Sequence, residues 1–468
     1  MKKRILAAMM CSAMVVGSFA GCSSSTDTAT TEATTEAATE TATEATTEAS
    51  TEEVSFSGTC VIVGHGATHN TAFGEAMEVL QAMDKYADVT FDIVPYEEHG
   101  ETYEETMPIQ VMGGEQIDIV YNGNPIMQAS FADGGITIPM TEYVEKYGLD
   151  LEETYGAYAD FAYTNGEVYG LPGVTSSWGL FYNKDLFDAA GVEYPDSTVP
   201  MTWTEYAELC AQLTSGTGGD KIYGSLHINW PMYWYGEANM AIGGGENFYK
   251  EDGSSNLDDP AFLTALTRTL EMQTVDKSIP TEADAISMEL PPQAFFNGNY
   301  AMHPAGTYFV AMIADEETNP HDFEIGLAPM PVDEGTEHKN WGIAGTYSMT
   351  QTTADKDLAF NVIVDLIRET TKLTSSEAYA DQTVAQDNLF VSVADDLTTM
   401  HPDLTTEQLS YVFNDPDQIF VNEKITGESA ADYQTIMQEE VILCLAGEQD
   451  PETALANAKE RIDEMLGK

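Results

Sequence analysis

The 468-residue sequence predicts an α/β protein with mainly parallel sheets. Three observations carry that reading. Short β-branched or apolar runs alternate with helical patterns along the chain, two strand–helix units follow one another directly, and every run is strand-length rather than membrane-length. At 43% hydrophobic and 10% aromatic, the chain also holds enough apolar material to build cores despite its charge.

Taken in order, CVIVG (60–64) reads as the first strand. Residues 72–86 read as a helix, because Phe73, Met77, Leu80 and Met83 fall on one face. VTFDIVPY (89–96) is a second strand, 102–112 a second helix and DIVYNG (118–123) a third strand. Further on come YGLPG (169–173), an apolar strand at 178–182, the helix TWTEYAELCAQL (202–213) and a helix over 262–273. DFEIGLAPMP (322–331) and YSMT (347–350) read as later strands, and 355–368 and 451–466 as closing helices.

The first residues have the form of an export signal: basic Lys2, Lys3 and Arg4, an apolar run to Phe19, then small residues. The apolar run is about 15 residues, short of the ~20 that span a bilayer core. Phe19-Ala20-Gly21-Cys22 resembles a bacterial lipobox, which implies a signal peptide over 1–21 and lipidation of Cys22; plain secretion is the alternative. Residues 22–53 follow as a stalk of Ser, Thr, Ala and Glu, with Glu32, Glu36, Glu40, Glu44, Glu48 and Glu52 four apart. Like charges at that spacing oppose a helix and there is no apolar stripe to bury, so the stalk reads as a disordered tether.

Eighteen Lys and Arg against 78 Asp and Glu leave a net charge of -60. Clustered cations that displace counterions are the basis of nucleic-acid binding, so nucleic acid is not an expected partner, and an anionic lipid surface is disfavoured likewise. Beyond the stalk the cysteines are Cys60, Cys210 and Cys444, widely spaced, which signals neither a disulfide framework nor zinc; buried free thiols are expected, although one bridge is possible.

Several segments together resemble the bacterial extracellular solute-binding proteins of family 1, the maltose-binding-protein-like sugar receptors of ABC importers. YNKDLFDAAGVEYPDSTVPMTWTEYAELCAQLT (182–214) is the most recognisable. GGEQIDIVYNGNP (113–125), GEVYGLPGV (166–174), AFFNGNYAMHPAGTYF (294–309), FEIGLAPMP (323–331), WGIAGTYSMT (341–350) and DPETALANAKERIDEML (450–466) fall in the family's order. The resemblance implies a two-lobed periplasmic-binding-protein-like fold (type II) with the ligand in the interlobe cleft. Lobe 1 would be 54–173 plus 347–371, and lobe 2 would be 174–346 plus 372–468. The chain would cross between lobes near 174–178, 344–346 and Thr371, which favours hinge closure around a ligand.

Sugars present apolar C–H faces and many hydroxyls, so their receptors stack aromatic rings on the faces and aim carboxylates and amides at the hydroxyls. In the segments mapped as loops, NWPMYWYGE (229–237) supplies Trp230, Tyr233, Trp234 and Glu237. Trp178, Tyr308 and Trp341 lie at or near the expected crossings and the Gly306 turn. From lobe 1, His65, His69 and Asn70 follow the first strand, Glu98 the second, and Asn122 and Asn124 the third, at strand ends where open sheets bind ligands. Each aromatic has core packing as its alternative, and Trp203 belongs to the start of its helix.

His65 and His69 lack a third ligand placed by sequence, so no metal is expected, and no nucleophile or phosphate-loop motif appears. With 78 acids, no catalytic carboxylate pair can be singled out. Only Arg268, Arg368 and Arg461 follow the signal segment, a poor supply of forked donors for an anionic solute. The expected solute is a neutral sugar or oligosaccharide. A cationic solute such as a polyamine, or a surface protein that binds no small ligand, is the alternative, and a ring of cleft acids would mark the polyamine case. The expectation is therefore a monomeric, cofactor-free receptor that is not an enzyme, anchored through its lipid on the outer face of a Gram-positive-type cell and delivering solute to ABC permease subunits.

Overall fold

The strand CVIVG extends backwards by three residues to become β1 (Ser57–Gly64), and β2 (Asp88–Pro95) pairs with it in parallel, Cys60 opposite Phe91. In the computed structural model the described residues are 55–64, 71–96, 102–336, 338–373, 380–384, 394, 397–415 and 418–468. The signal segment, Cys22 and the stalk lie outside them, as do four expected ligand contacts, His65, His69, Asn70 and Glu98.

Helix Thr71–Ala82 connects β1 to β2, and Ala72, Phe73, Ala76, Met77 and Leu80 are buried beneath it. β3 (Ile119–Asn122) joins β1 on its other side, Ile62 opposite Ile119. A two-residue hairpin, β4 (Tyr163–Thr164) and β5 (Glu167–Val168), precedes the long β6 (Leu171–Asn183). β7 (Tyr223–Ser225), β8 (Tyr300–Gly306), β9 (Ile325–Ala328), β10 (Lys339–Met349) and β11 (Ile419–Asn422) complete the strands. Their order is β2-β1-β3-β10-β6-β8-β7, with β11 on β10 and β9 on β6.

The expectation of mainly parallel sheets is corrected. β10 runs antiparallel to both β3 and β6, and β6 antiparallel to β8 and β9. A chain that passes from one lobe to the other along β6 and returns along β10 makes neighbours of opposite direction, whatever the crossovers inside each lobe dictate. β6 also joins two segments that read as separate. Thr175, Ser176 and Ser177 interrupt the apolar pattern, yet the backbone ladder to Ala344, Ile343 and Gly342 continues through them without needing apolar side chains.

These two strands feed both cores. Leu171 of β6 and Tyr347 and Met349 of β10 are buried with the first-lobe residues Ile62, Leu80, Ile119 and Ile363. Trp178 and Leu180 of β6 and Trp341 of β10 are buried with Tyr206, Phe262, Met302 and Tyr433 in the second lobe. Between the cores the ladder is irregular at Gly345/Thr346. A Cβ on Gly345 would sit 2.0 Å from the Tyr121 hydroxyl, so only glycine lets that ring close on the crossing.

Helix Lys356–Leu373 buries Leu358, Phe360, Val362, Ile363 and Leu366 in the first lobe. Ala380 is buried in the same core, and the Gln382 N–H donates to the Thr154 carbonyl at 2.7 Å.

Helix Trp203–Leu213 forms where its sequence starts it. The Thr202 hydroxyl accepts from the Glu205 N–H at 3.2 Å and the Glu205 carboxylate accepts from the Thr202 N–H at 2.7 Å, a reciprocal cap that contributes about 1 kcal/mol. Cys60, Cys210 and Cys444 are buried free thiols.

Candidate functional site

The aromatic run expected as a loop is largely helix, Met232–Ile242. Tyr and Trp are weak helix formers, so tertiary burial decides this segment rather than propensity. The helical turn then sends its aromatic side chains in different directions, and only part of the run faces outward.

Trp230, just before that helix, is 38% exposed. Behind it Trp178 is buried at the start of the second-lobe half of β6, edge to face with Trp230 at 6.4 Å and 82°. Trp178 also meets Tyr233 edge-on at 5.8 Å and Trp341 at 5.9 Å. On the other side Tyr308, half-buried at the head of helix Tyr308–Ala314, meets Trp230 at 6.1 Å and 64°. The Tyr308 hydroxyl is buried. Trp230 and Tyr308 thus form an aromatic shelf on the second lobe, with Trp178 as its rear wall.

The remaining expected contacts have other partners. Trp341 is 3% exposed and lies flat on Trp203, with centroids 5.9 Å apart and planes at 14°; its indole N–H is unpaired. Trp234 is 5% exposed in the same core and donates its indole N–H to Gln438 Oε1 at 3.1 Å. Both therefore pack in the second-lobe core. Tyr233 donates its hydroxyl to the Pro304 carbonyl at 2.8 Å and supports the wall from behind. Glu237 is held by Arg268, Nε to Oε2 at 2.8 Å and Nη2 to Oε1 at 3.2 Å. Burial pushes the Glu237 carboxyl above its ordinary range and the Arg268 hydrogen bonds oppose that.

In the first lobe, Asn122 is fully buried and donates to Thr346 Oγ1 at 3.1 Å and Ser348 Oγ at 2.7 Å, tying β3 to β10; its Oδ1 is unpaired. Asn124 caps helix Pro125–Asp133, its Oδ1 accepting from the Met127 N–H at 3.0 Å. These two amides serve the fold before any ligand.

Glu423 was not singled out by the sequence. Its carboxylate, 2% exposed, accepts the Trp178 indole N–H at 2.6 Å and pairs with the Lys424 ammonium at 2.7 Å. One acid among 78, 245 residues from its partner, carries no local signal beyond the short strand β11 that it follows. No group of three or more His, Cys, Asp or Glu among the described residues could hold a metal ion.

The sequence profile of the bacterial extracellular solute-binding proteins matches residues 68–364. This chain belongs to that family. Among similar proteins, a putative binding protein of Brucella abortus is 21% identical over 329 residues, 68% of this chain and 74% of its own. An arabinooligosaccharide-binding protein of Halalkalibacterium halodurans is 24% identical over 225 residues, 47% of each chain.

Solved structures of similar fold include the ABC substrate-binding protein of Listeria monocytogenes in complex with cycloalternan, at TM-score 0.69 and 22% identity over 87% of this chain and 99% of that one. The sugar-binding protein of Xanthomonas citri superposes at TM-score 0.65 with 18% identity, over 88% and 98%. The fold is therefore the two-lobed one of these binding proteins. Among the described residues no helix is long and apolar enough to cross a membrane.

Proposed function

We propose that this protein is the receptor of an ABC importer and that it captures a neutral oligosaccharide between its lobes. The observation that carries the reading is the outward Trp230 ring, braced by Trp178 and flanked by Tyr308. A rigid aromatic shelf fits the C–H face of a sugar. The solutes named for related proteins, cycloalternan and arabinooligosaccharides among them, agree with that chemistry.

Two ion pairs support a neutral solute in this reading. Glu237, on the same helix as Tyr233, and Glu423, against Trp178, have Arg268 and Lys424 as partners. A polyamine site uses uncompensated carboxylates beside its aromatic faces, so this arrangement favours a neutral solute over a cationic one.

In this reading Trp230, Tyr308 and Trp178 form the second-lobe side of the site, and His65, His69, Asn70 and Glu98 are the proposed first-lobe contacts. β6 and β10 act as the hinge, and closure gives the solute contacts from both sides. The lobes run as 54–173 with 347–384, and 174–346 with the remainder. Cys22 carries the lipid, the stalk holds the receptor near its permease, and the local concentration this creates assists delivery.

The test is a thermal-shift panel of neutral oligosaccharides, acidic sugars, polyamines and short peptides. A solute at 100 times its Kd adds about 2.7 kcal/mol of stability. A shift with neutral oligosaccharides alone supports the reading, whereas a shift with polyamines alone overturns it.

A further inference from the structure

Behind the shelf lies a buried charged group, Glu423. Trp178 is packed edge-on against Trp230, Tyr233 and Trp341, and its indole N–H is in addition held by Glu423 Oε2 at 2.6 Å. Hydrogen bonds to a buried carboxylate are short and strong, and the carboxylate itself must be compensated. Lys424 supplies that compensation at 2.7 Å from Oε1.

The pair is seated by the backbone. The Glu423 N–H donates to the Gly342 carbonyl at 2.9 Å, and the Tyr235 hydroxyl donates to the Glu423 carbonyl at 3.2 Å. Gly245 lies so close beneath Lys424 that a Cβ there would be 1.6 Å from the Lys424 carbonyl oxygen. Gly342 in turn pairs with Ser177, the residue before Trp178. The indole thus sits on β6, and the carboxylate follows β11, which pairs with β10, the neighbour of β6.

We propose that Glu423 is a positioning residue: it locks Trp178 edge-on behind Trp230 and so sets the plane of the aromatic shelf that the solute meets. This rests on the oligosaccharide reading for its function, but the geometry behind it does not. The ion pair neutralises the carboxylate locally, so the shelf gains a rigid wall without presenting a negative charge to the solute.

The test uses the full chain labelled with 15N at tryptophan, whose five indole N–H signals report the five tryptophans separately. Trp178→Phe identifies the Trp178 signal. In Glu423→Gln the amide oxygen still accepts, so that signal moves upfield and keeps slow hydrogen exchange. In Glu423→Leu it moves further, exchanges faster, and the Trp230 signal moves with it. The Trp203 and Trp234 signals, from the core, stay in place and certify folding. Should Glu423→Leu fail to fold, Glu423→Gln alone carries the test through the Trp178 shift.

Binding of maltotetraose and cycloalternan is measured on the same samples. Loss of a charge-assisted hydrogen bond predicts roughly 10- to 100-fold weaker binding in Glu423→Leu, with partial rescue in Glu423→Gln. Unmoved Trp178 and Trp230 signals, or unchanged affinity in Glu423→Leu, would overturn the proposal. A wild-type chain that binds neither these nor any other neutral oligosaccharide would overturn the function instead, and the indole signals would still decide the role of Glu423.

Discussion

Trp341 lies flat on Trp203, with ring centroids 5.9 Å apart and planes 14° from parallel, while Trp230 stands 38% exposed on the other side of Trp178. Tryptophans expected to act together thus divide between a core and a surface. Trp341→Ala and Trp234→Ala each remove a buried indole and are expected to cost about 3–5 kcal/mol of stability. Trp230→Ala is expected to leave stability within about 1 kcal/mol, because part of its surface is already in water. Chemical denaturation of the three variants checks this.

Glu237 and Arg268 form a two-point ion pair with side-chain exposures of 12% and 22%. Glu237→Gln leaves a guanidinium short of its partner in a largely buried place and is expected to cost about 2 kcal/mol. Solute affinity is expected to stay unchanged. Affinity lost at constant stability would return Glu237 to the ligand site.

Gly345 and Gly74 make a matched pair of glycines. A methyl at Gly345 meets the Tyr121 ring, so Gly345→Ala is expected to destabilise by about 1–3 kcal/mol and to disturb closure. Gly74, inside helix Thr71–Ala82, has nothing within 4 Å of a Cβ, and Gly74→Ala is expected to stabilise by about 0.5–1 kcal/mol. Thermal unfolding with and without solute separates the two effects.

Buried histidines predict a pH response. Burial lowers His303 from its ordinary 6.5 to about 3, against the Leu226 hydrogen bond, and lowers His227 to about 3, with the His303 charge adding to burial. The unfolded chain therefore binds these protons more tightly than the folded one. Their contribution is fully present above about pH 6.5 and is lost as pH falls toward 3. His303→Gln removes one such proton, so the fall in stability between pH 6 and 4 should become shallower by about 1.4 kcal/mol per pH unit. An unchanged slope in urea melts across that range would contradict this.

Local patterns made part of this architecture legible. The apolar stripe of helix Thr71–Ala82, the Thr202–Glu205 cap and the runs that became β1, β2 and β3 all lie in short windows where periodicity speaks directly. What stayed hidden depends on distant partners. No window tells that Trp341 finds Trp203 or that Glu237 finds Arg268, and the rotation of helix Met232–Ile242 decides which aromatics point out. The continuity of β6 through Thr175–Ser177 comes from backbone pairing to β10, which side-chain patterning does not record.

Titration calorimetry of the wild-type chain beside Trp230→Ala, with neutral oligosaccharides and with spermidine, tests the central claim most directly. The account predicts that a neutral oligosaccharide binds, that spermidine does not, and that Trp230→Ala weakens the oligosaccharide by about 1–3 kcal/mol while the protein stays folded. Binding of spermidine with none of the neutral oligosaccharides, or an oligosaccharide affinity indifferent to Trp230, would contradict it.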